Sequence, residues 1–226
     1  GVNVFRLNFS HGTHEDKARI IELIHKINKS EPYNIAILAD LQGPKLRVGE
    51  LEGGQLEIKE GDILTFTNEK VVGTREKIYV SYPDLHSDVK VGEKILFDDG
   101  KLEVMVTEIT ADKNVKAEVT LGGLLLPKKG MNLPDTSISL PSLTEKDLAD
   151  LVFIMKHQVE WVALSFVRNP ADITDLKQRI KKAGHSAKVI AKIEMPQAVV
   201  NLRDIIVESD GVMIARGDLG VELPVE

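Results

Sequence analysis

One interruption constrains the architecture of this chain more than any other feature. Before Leu41 the sequence runs strand, helix, strand, and beyond Pro141 it takes up the same alternation, but the residues between keep a different rhythm. Residues 2–9 alternate and end at Ser10-His11-Gly12. Thr13 then caps a helix whose Ile20, Ile21, Leu23, Ile24 and Ile27 recur at helical spacing, and the apolar run 35–39 reads as a buried parallel strand. From about Lys45 to Leu140 come short alternating segments at 56–59, 63–67, 77–80, 94–97, 103–109 and 116–120. Gly53-Gly54, Gly61-Asp62, Asp98-Asp99-Gly100 and Gly122-Gly123 separate them, which is the turn chemistry of an all-β module. Downstream, Ser142 with Glu145 forms a capping box for a helix ending near His157. Strands are then expected at 161–166, 187–193 and 211–215, with helices at 170–183 and after Pro196. The expectation is an α/β layer system of parallel strands, residues 1–43 and 141–226, cut open by an inserted β domain over 44–140. Periodicity does not choose between a closed barrel and an open doubly wound sheet.

Composition narrows the function classes. The 226 residues are 42% hydrophobic and 28% charged, enough for a sizeable core. A formal charge of −6 argues against a general nucleic-acid binder, which needs a concentrated basic surface. There is no cysteine, so disulfides and thiolate metal sites are excluded. No apolar run approaches a membrane span, and a cytoplasmic location is expected. The chain opens at Gly1 inside a strand pattern and stops at Glu226 where a helix could begin, so it reads as an internal piece of something longer.

Polar residues gather at the C-terminal tips of the expected parallel strands: Arg6, Asn8 and Ser10, then Asp40, then Lys192 and Glu194, then Arg216 and Asp218. Ligands of parallel α/β folds sit at that edge. Glu194 and Asp218 are hard oxygen donors suited to Mg²⁺ or Mn²⁺, although Asp218 could instead cap a turn and Glu194 could pair with Lys192. Lys192 follows the apolar Val189-Ile190-Ala191 and is costly to bury without a counter-charge, which a substrate phosphate or carboxylate could supply. Arg6 interrupts Val4-Phe5-Leu7 in the same way; it is open to phosphate recognition or to a buried pair with Asp40. A lysine and two carboxylates at neighbouring tips make a site for phosphoryl transfer.

Several of these segments together resemble the pyruvate kinase family over essentially the whole chain. The matching stretches are Arg6-Leu7-Asn8-Phe9-Ser10-His11-Gly12, Asp40 with Gly43-Pro44, Asp98-Asp99-Gly100, Lys128-Lys129-Gly130 with Asn132-Leu133-Pro134, Ser165-Phe166-Val167-Arg168, Lys192-Ile193-Glu194 and 215–220. The resemblance implies a partial TIM (β/α)₈ barrel, from the second to the sixth barrel strand, interrupted by an all-β barrel lid. It implies phosphoryl transfer from phosphoenolpyruvate to ADP, giving pyruvate and ATP. By resemblance, Glu194 and Asp218 hold Mg²⁺ or Mn²⁺, the backbone at Gly217 and Asp218 receives the substrate carboxylate, and Arg6 and Lys192 contact the phosphoryl group. Arg47, His11 and the lid residue Lys129 match positions that grip the nucleotide phosphates. The family is usually tetrameric, and neither nucleic acid nor membrane is expected as a partner.

One departure bears on cofactors. Many members hold potassium with residues matching Asn8, Ser10, Asp40 and the carbonyl of Leu41, and carry a glutamate where this chain has Lys45. The segment 40–48 here is similar to the potassium-independent branch, in which the ammonium of Lys45 supplies the positive charge, so potassium is not expected to be required. A different class of reading is a noncatalytic fragment that binds metal or nucleotide without turnover, because 226 residues that include an inserted domain are too few to close a (β/α)₈ barrel. Another phosphoenolpyruvate-handling barrel is a further alternative, but it should lack the Gly43-Pro44 entry into a β insertion.

Overall fold

The computed structural model describes residues 1–223. In chain order, β1 (Val4–Asn8), α1 (His14–Ser30) and β2 (Ala36–Asp40) come first. Then follow β3 (Leu56–Ile58), β4 (Ile63–Thr67), β5 (Ile78–Tyr79), α2 (Leu85–Asp88), β6 (Lys94–Phe97), β7 (Leu102–Ile109), β8 (Val115–Leu121), β9 (Gly123–Leu125) and β10 (Met131–Asn132). The last part holds α3 (Glu145–Ile154), β11 (Trp161–Leu164), α4 (Pro170–Lys182), β12 (Lys188–Ile193), α5 (Pro196–Val200), α6 (Leu202–Glu208), β13 (Gly211–Ile214) and α7 (Arg216–Glu222). The described residues fall in two units: Gly1–Pro44 with Leu140–Leu219, and Lys45–Ser139 with residues 220–223. The division falls inside α7, so residues 220–223, assigned on sequence to the α/β part, cluster with the β unit.

The first unit is an α/β half-barrel. Its five strands pair in the order β1-β2-β11-β12-β13, all parallel, so each strand lies beside the next one of this unit in the chain. A doubly wound sheet needs a point at which the winding reverses, and a sequential order has none. This order excludes the doubly wound sheet that periodicity left open. The three inner strands are almost fully buried, while the edges expose Val4 and Phe5 on β1 and Val212 and Ile214 on β13. Three of its helices open with reciprocal caps: Thr13 with Asp16, Thr144 with Asp147, and Asn169 with Asp172. The expected box of Ser142 with Glu145 is therefore displaced by two residues. Ser142 instead donates its hydroxyl hydrogen to the carbonyl of Phe166, which leaves Thr144 at the true helix start.

The second unit is all β apart from short turns of helix. A six-stranded sheet in the order β10-β6-β7-β8-β4-β5 accompanies the pair β3-β9. Its core is the inward set Leu64, Phe66, Ile95, Phe97, Val104, Val106, Ala117 and Val119, with the Phe66 and Phe97 rings stacked at 5.3 Å. Period-two alternation buries one residue in two along β7 and β8, which is why these strands were legible in the sequence. Strands β9 and β10, of three and two residues, are too short to show a period.

Candidate active site

Three neighbouring strand tips, of β2, β11 and β12, build the centre of the first unit's site. Lys192 is on β12 and Glu194 two residues on, so alternation sends both side chains to one face. The Lys192 Nζ lies 2.7 Å from Glu194 Oε1, 2.7 Å from Ser165 Oγ and 3.3 Å from Asp40 Oδ1. Ser165 and Glu194 accept hydrogen bonds from the ammonium, and the two carboxylates supply counter-charge; this offsets the desolvation of a lysine only 8% exposed. The Asp40 contact is ionic and not aligned as a hydrogen bond, so Oδ1 has charge compensation but no donor pointing at it.

The other oxygens of both carboxylates are also engaged. Glu194 Oε2 accepts the Phe166 N–H at 2.8 Å. Burial pushes the Glu194 carboxyl above its ordinary range; Lys192 and the Phe166 N–H oppose that shift, and the charge of Asp218 adds to it. Asp40 Oδ2 accepts Arg6 Nε at 2.7 Å, and the terminal nitrogen Nη2 closes on the same oxygen. The pair of Arg6 with Asp40 thus exists, yet the Arg6 side chain stays 52% exposed while Asp40 is 2% exposed. Its outer face is open to an anion, so the two readings of Arg6 are compatible.

Local backbone geometry sets these donors. Ser165 donates its hydroxyl hydrogen to the carbonyl of Leu41 at 2.7 Å while accepting from Lys192. Phe166 takes a left-handed φ of +54°, an unusual conformation for a bulky residue, and its N–H meets Glu194 there. Gly43 has φ +68°, and a Cβ at this position would come within 2.7 Å of the Phe166 ring and 3.1 Å of Ser165. No other residue fits that approach. Ser165 and Phe166 were quoted from the sequence only as part of a matching stretch. The signal that could have assigned them was their place at the tip of β11, where the logic already used for Lys192 applies.

The remaining expected residues fall in three places. Asn8 Oδ1 accepts the Ser10 N–H at 2.9 Å, and exposed His11 uses its carbonyl to receive Lys17 Nζ at 2.8 Å. Gly217 and Asp218 are exposed in the first turn of α7, and Asp218 is near enough to act on Glu194 electrostatically. The other unit holds Lys45, Arg47 and Lys129. Lys45 is exposed, with no ion pair among the described residues, and Arg47 Nη1 donates to the Lys128 carbonyl at 2.6 Å. Lys129 Nζ sits 2.7 Å from Asp98 Oδ1, and Lys101 takes the other oxygen at 3.0 Å. Both lysines hold the Asp98 carboxyl below its usual range.

The donor set fits a hard divalent ion. Glu194 and Asp218 are hard oxygen donors, and Asp218 acts on Glu194 electrostatically; among the described residues no group of three His, Asp or Glu side chains could hold a metal by itself. A buried carboxyl raised by desolvation, with a second carboxylate acting on it, is also an environment that a cation relieves.

A family profile described as the barrel domain of pyruvate kinase matches residues 1–226, the entire chain. The chain belongs to the pyruvate kinase family. It is 42% identical to the pyruvate kinase of Clostridium perfringens, 45% to pyruvate kinase 2 of a Synechocystis strain and 44% to the pyruvate kinase of Geobacillus stearothermophilus. Each match covers all of this chain but only 48%, 39% and 39% of those relatives, so the chain spans less than half of their length. The crystal structure of a pyruvate kinase from Cryptosporidium parvum superposes with a TM-score of 0.93 at 38% identity, covering all of this chain and 48% of that one. The site at the tips of β2, β11 and β12 is therefore described in a pyruvate kinase fold.

Proposed function

We propose that this chain is the catalytic segment of a pyruvate kinase that moves the phosphoryl group of phosphoenolpyruvate onto ADP, and that its half-barrel and β unit are part of a (β/α)₈ barrel and its lid. The observation that carries the reading is Lys192, a nearly buried ammonium held by Glu194, Asp40 and Ser165 beside the half-exposed guanidinium of Arg6. Phosphoryl transfer breaks the bond from phosphorus to the enol oxygen and forms one to the terminal ADP oxygen, while the enolate takes up a proton to become pyruvate. Charge spreads over the equatorial phosphoryl oxygens, so fixed cations do most of the work. Lys192 is positioned by three partners before substrate arrives, and Arg6 offers its outer N–H groups to the same oxygens. Glu194 and Asp218 would hold Mg²⁺ or Mn²⁺, which would supply positive charge to the phosphoryl oxygens as charge develops there. The N–H groups of Gly217 and Asp218 receive the substrate carboxylate, and Arg47, Lys129 and His11 contact the nucleotide phosphates. A coupled pyruvate assay on the full-length protein tests this: the wild type should require both phosphoenolpyruvate and ADP, and Lys192→Met should lose about 10²–10³ in kcat. Turnover without ADP, or an unaffected variant, would overturn the reading.

Potassium is not required in this proposal, with the Lys45 ammonium in place of the ion that Asn8, Ser10, Asp40 and the Leu41 carbonyl hold in other members. Turnover in tetramethylammonium salt should rise less than about tenfold on adding potassium. The full-length protein is proposed to be a cytoplasmic homotetramer; among the described residues no helix is long and apolar enough to cross a membrane.

A second reading concerns the 226 residues alone. The five-stranded sheet is open at β1 and β13, with Phe5 41% and Ile214 62% exposed on its edges. Unpaired strand edges with apolar side chains invite association. We expect this chain by itself to bind metal or nucleotide with little turnover; near-normal pyruvate formation by it would refute that.

A further inference from the structure

Asp147 is spent in an unusual way for a capping residue. It is fully buried, and its carboxylate meets donors from two distant parts of the chain. Oδ2 accepts the Thr144 N–H at 3.0 Å and the Thr144 hydroxyl at 2.5 Å, which completes the cap of α3. Oδ1 accepts the N–H of Gln42 at 2.9 Å and of Gly43 at 3.1 Å, more than a hundred residues away. Among the described residues no cation pairs with it; the charge is held by N–H and O–H dipoles and by its place in the first turn of a helix. Capping α3 needs only one of those oxygens.

The segment that Oδ1 holds leads into the site. Leu41, next to Gln42, gives its carbonyl to the Ser165 hydroxyl, and that hydroxyl accepts from Lys192. Gly43 packs its backbone against Phe166 and Ser165 so closely that a Cβ would fall 2.7 Å from the Phe166 ring. The Phe166 N–H in turn binds Glu194. Any drift of residues 41–43 would reach both Lys192 and Glu194 through these contacts, and misplacement near 1 Å of catalytic groups costs on the order of a hundredfold in rate.

We propose that Asp147 is a positioning residue of the phosphoryl-transfer site: it fixes residues 41–43 and, through the Leu41 carbonyl and the Ser165 hydroxyl, the ammonium of Lys192. The proposal rests on the reading of Lys192 as a catalytic group. In the full-length protein, Asp147→Asn keeps an acceptor for one set of donors but cannot accept from both with one oxygen replaced by an NH₂. It should exchange the Gln42 and Gly43 amides at least about tenfold faster by hydrogen–deuterium exchange, and lower kcat about tenfold or more with KM for phosphoenolpyruvate and ADP within about twofold. Thr144→Ala, which removes the cap hydroxyl and leaves Oδ1 alone, should lower the urea midpoint without that loss of kcat. Ser165→Ala supplies a second arm that does not depend on α3: its kcat loss and that of Asp147→Asn should be markedly less than multiplicative in the double variant, because both sever one route. Multiplicative losses, unchanged exchange at residues 42 and 43, or an equal kcat loss in Thr144→Ala would each overturn the proposal. A wild type without pyruvate-forming activity, with the amide exchange still tied to Asp147, would sink the functional reading and leave the anchoring itself intact.

Discussion

Two lysine–carboxylate clusters, one in each unit, behave in opposite ways. At the strand tips Lys192 is enclosed by Glu194, Asp40 and Ser165 with its side chain 10% exposed; in the β unit Asp98 is shared by Lys101, 69% exposed, and Lys129, 34% exposed. The distances are alike, 2.7 Å for both Lys192 to Glu194 and Lys129 to Asp98. Yet the Glu194 carboxyl is pushed up and the Asp98 carboxyl is pulled down. Burial leads the causes for Glu194, whereas the two lysine hydrogen bonds lead for Asp98. At equal distance, the balance between burial and the paired lysines decides the direction: burial outweighs Lys192 at Glu194, and the two lysines outweigh burial at Asp98.

The largest expected break in that comparison is Lys192→Met. It leaves two buried carboxylates without their shared cation, and the full-length protein should lose about 3–5 kcal/mol of stability in urea unfolding. Adding Glu194→Gln should recover part of that loss, since a neutral amide needs no counter-charge; a double variant less stable than Lys192→Met would contradict the account. Asp218→Ala should separate chemistry from stability: the residue is exposed, so unfolding should shift by less than about 0.5 kcal/mol, while pyruvate formation falls about a hundredfold and responds to added Mn²⁺.

The surface cluster should respond far less. Lys129→Ala is expected to change stability by at most about 1 kcal/mol, an effect that shrinks as salt is raised, and to raise KM for ADP. The smallest effect is in pH. With its folded value below the ordinary 3.8, Asp98 contributes stability above that value and loses it as the pH falls through the lower folded value. Urea midpoints of wild type and Asp98→Asn should therefore differ near neutrality and converge below about pH 4; a constant offset down to acid pH would argue that the lysines do not hold this carboxylate.

Much of the fold was legible because local rules and tertiary context agree along most of the chain. β4 and β6 fall where alternation places them, and α4 runs from its Pro170 start to one residue short of the expected end. The start of α3 was misplaced since Ser142 and Thr144 both precede an acidic residue by three positions, and only the Phe166 carbonyl decides which hydroxyl is free to cap. His14 received no role on sequence. It stacks on Phe153 at 4.4 Å and contacts Asp150 Oδ1 at 2.7 Å, across 136 residues that no periodicity spans.

The sequence by itself determined the strand tips, the β module and the charged residue types of the candidate site, because apolar period, turn chemistry and charge within apolar runs are properties of neighbours in the chain. Only the tertiary structure decided that Lys192 lies between Glu194 and Asp40, that Ser165 and Phe166 supply the hydroxyl and N–H that complete the set, and that Asp147 reaches Gln42 and Gly43. Apart from Lys192 with its near neighbour Glu194, those contacts join segments 27 to more than 100 residues apart. Parallel strands bring their tips together through crossover helices, so which side chains meet is set by register and burial, and neither is a property of any one segment.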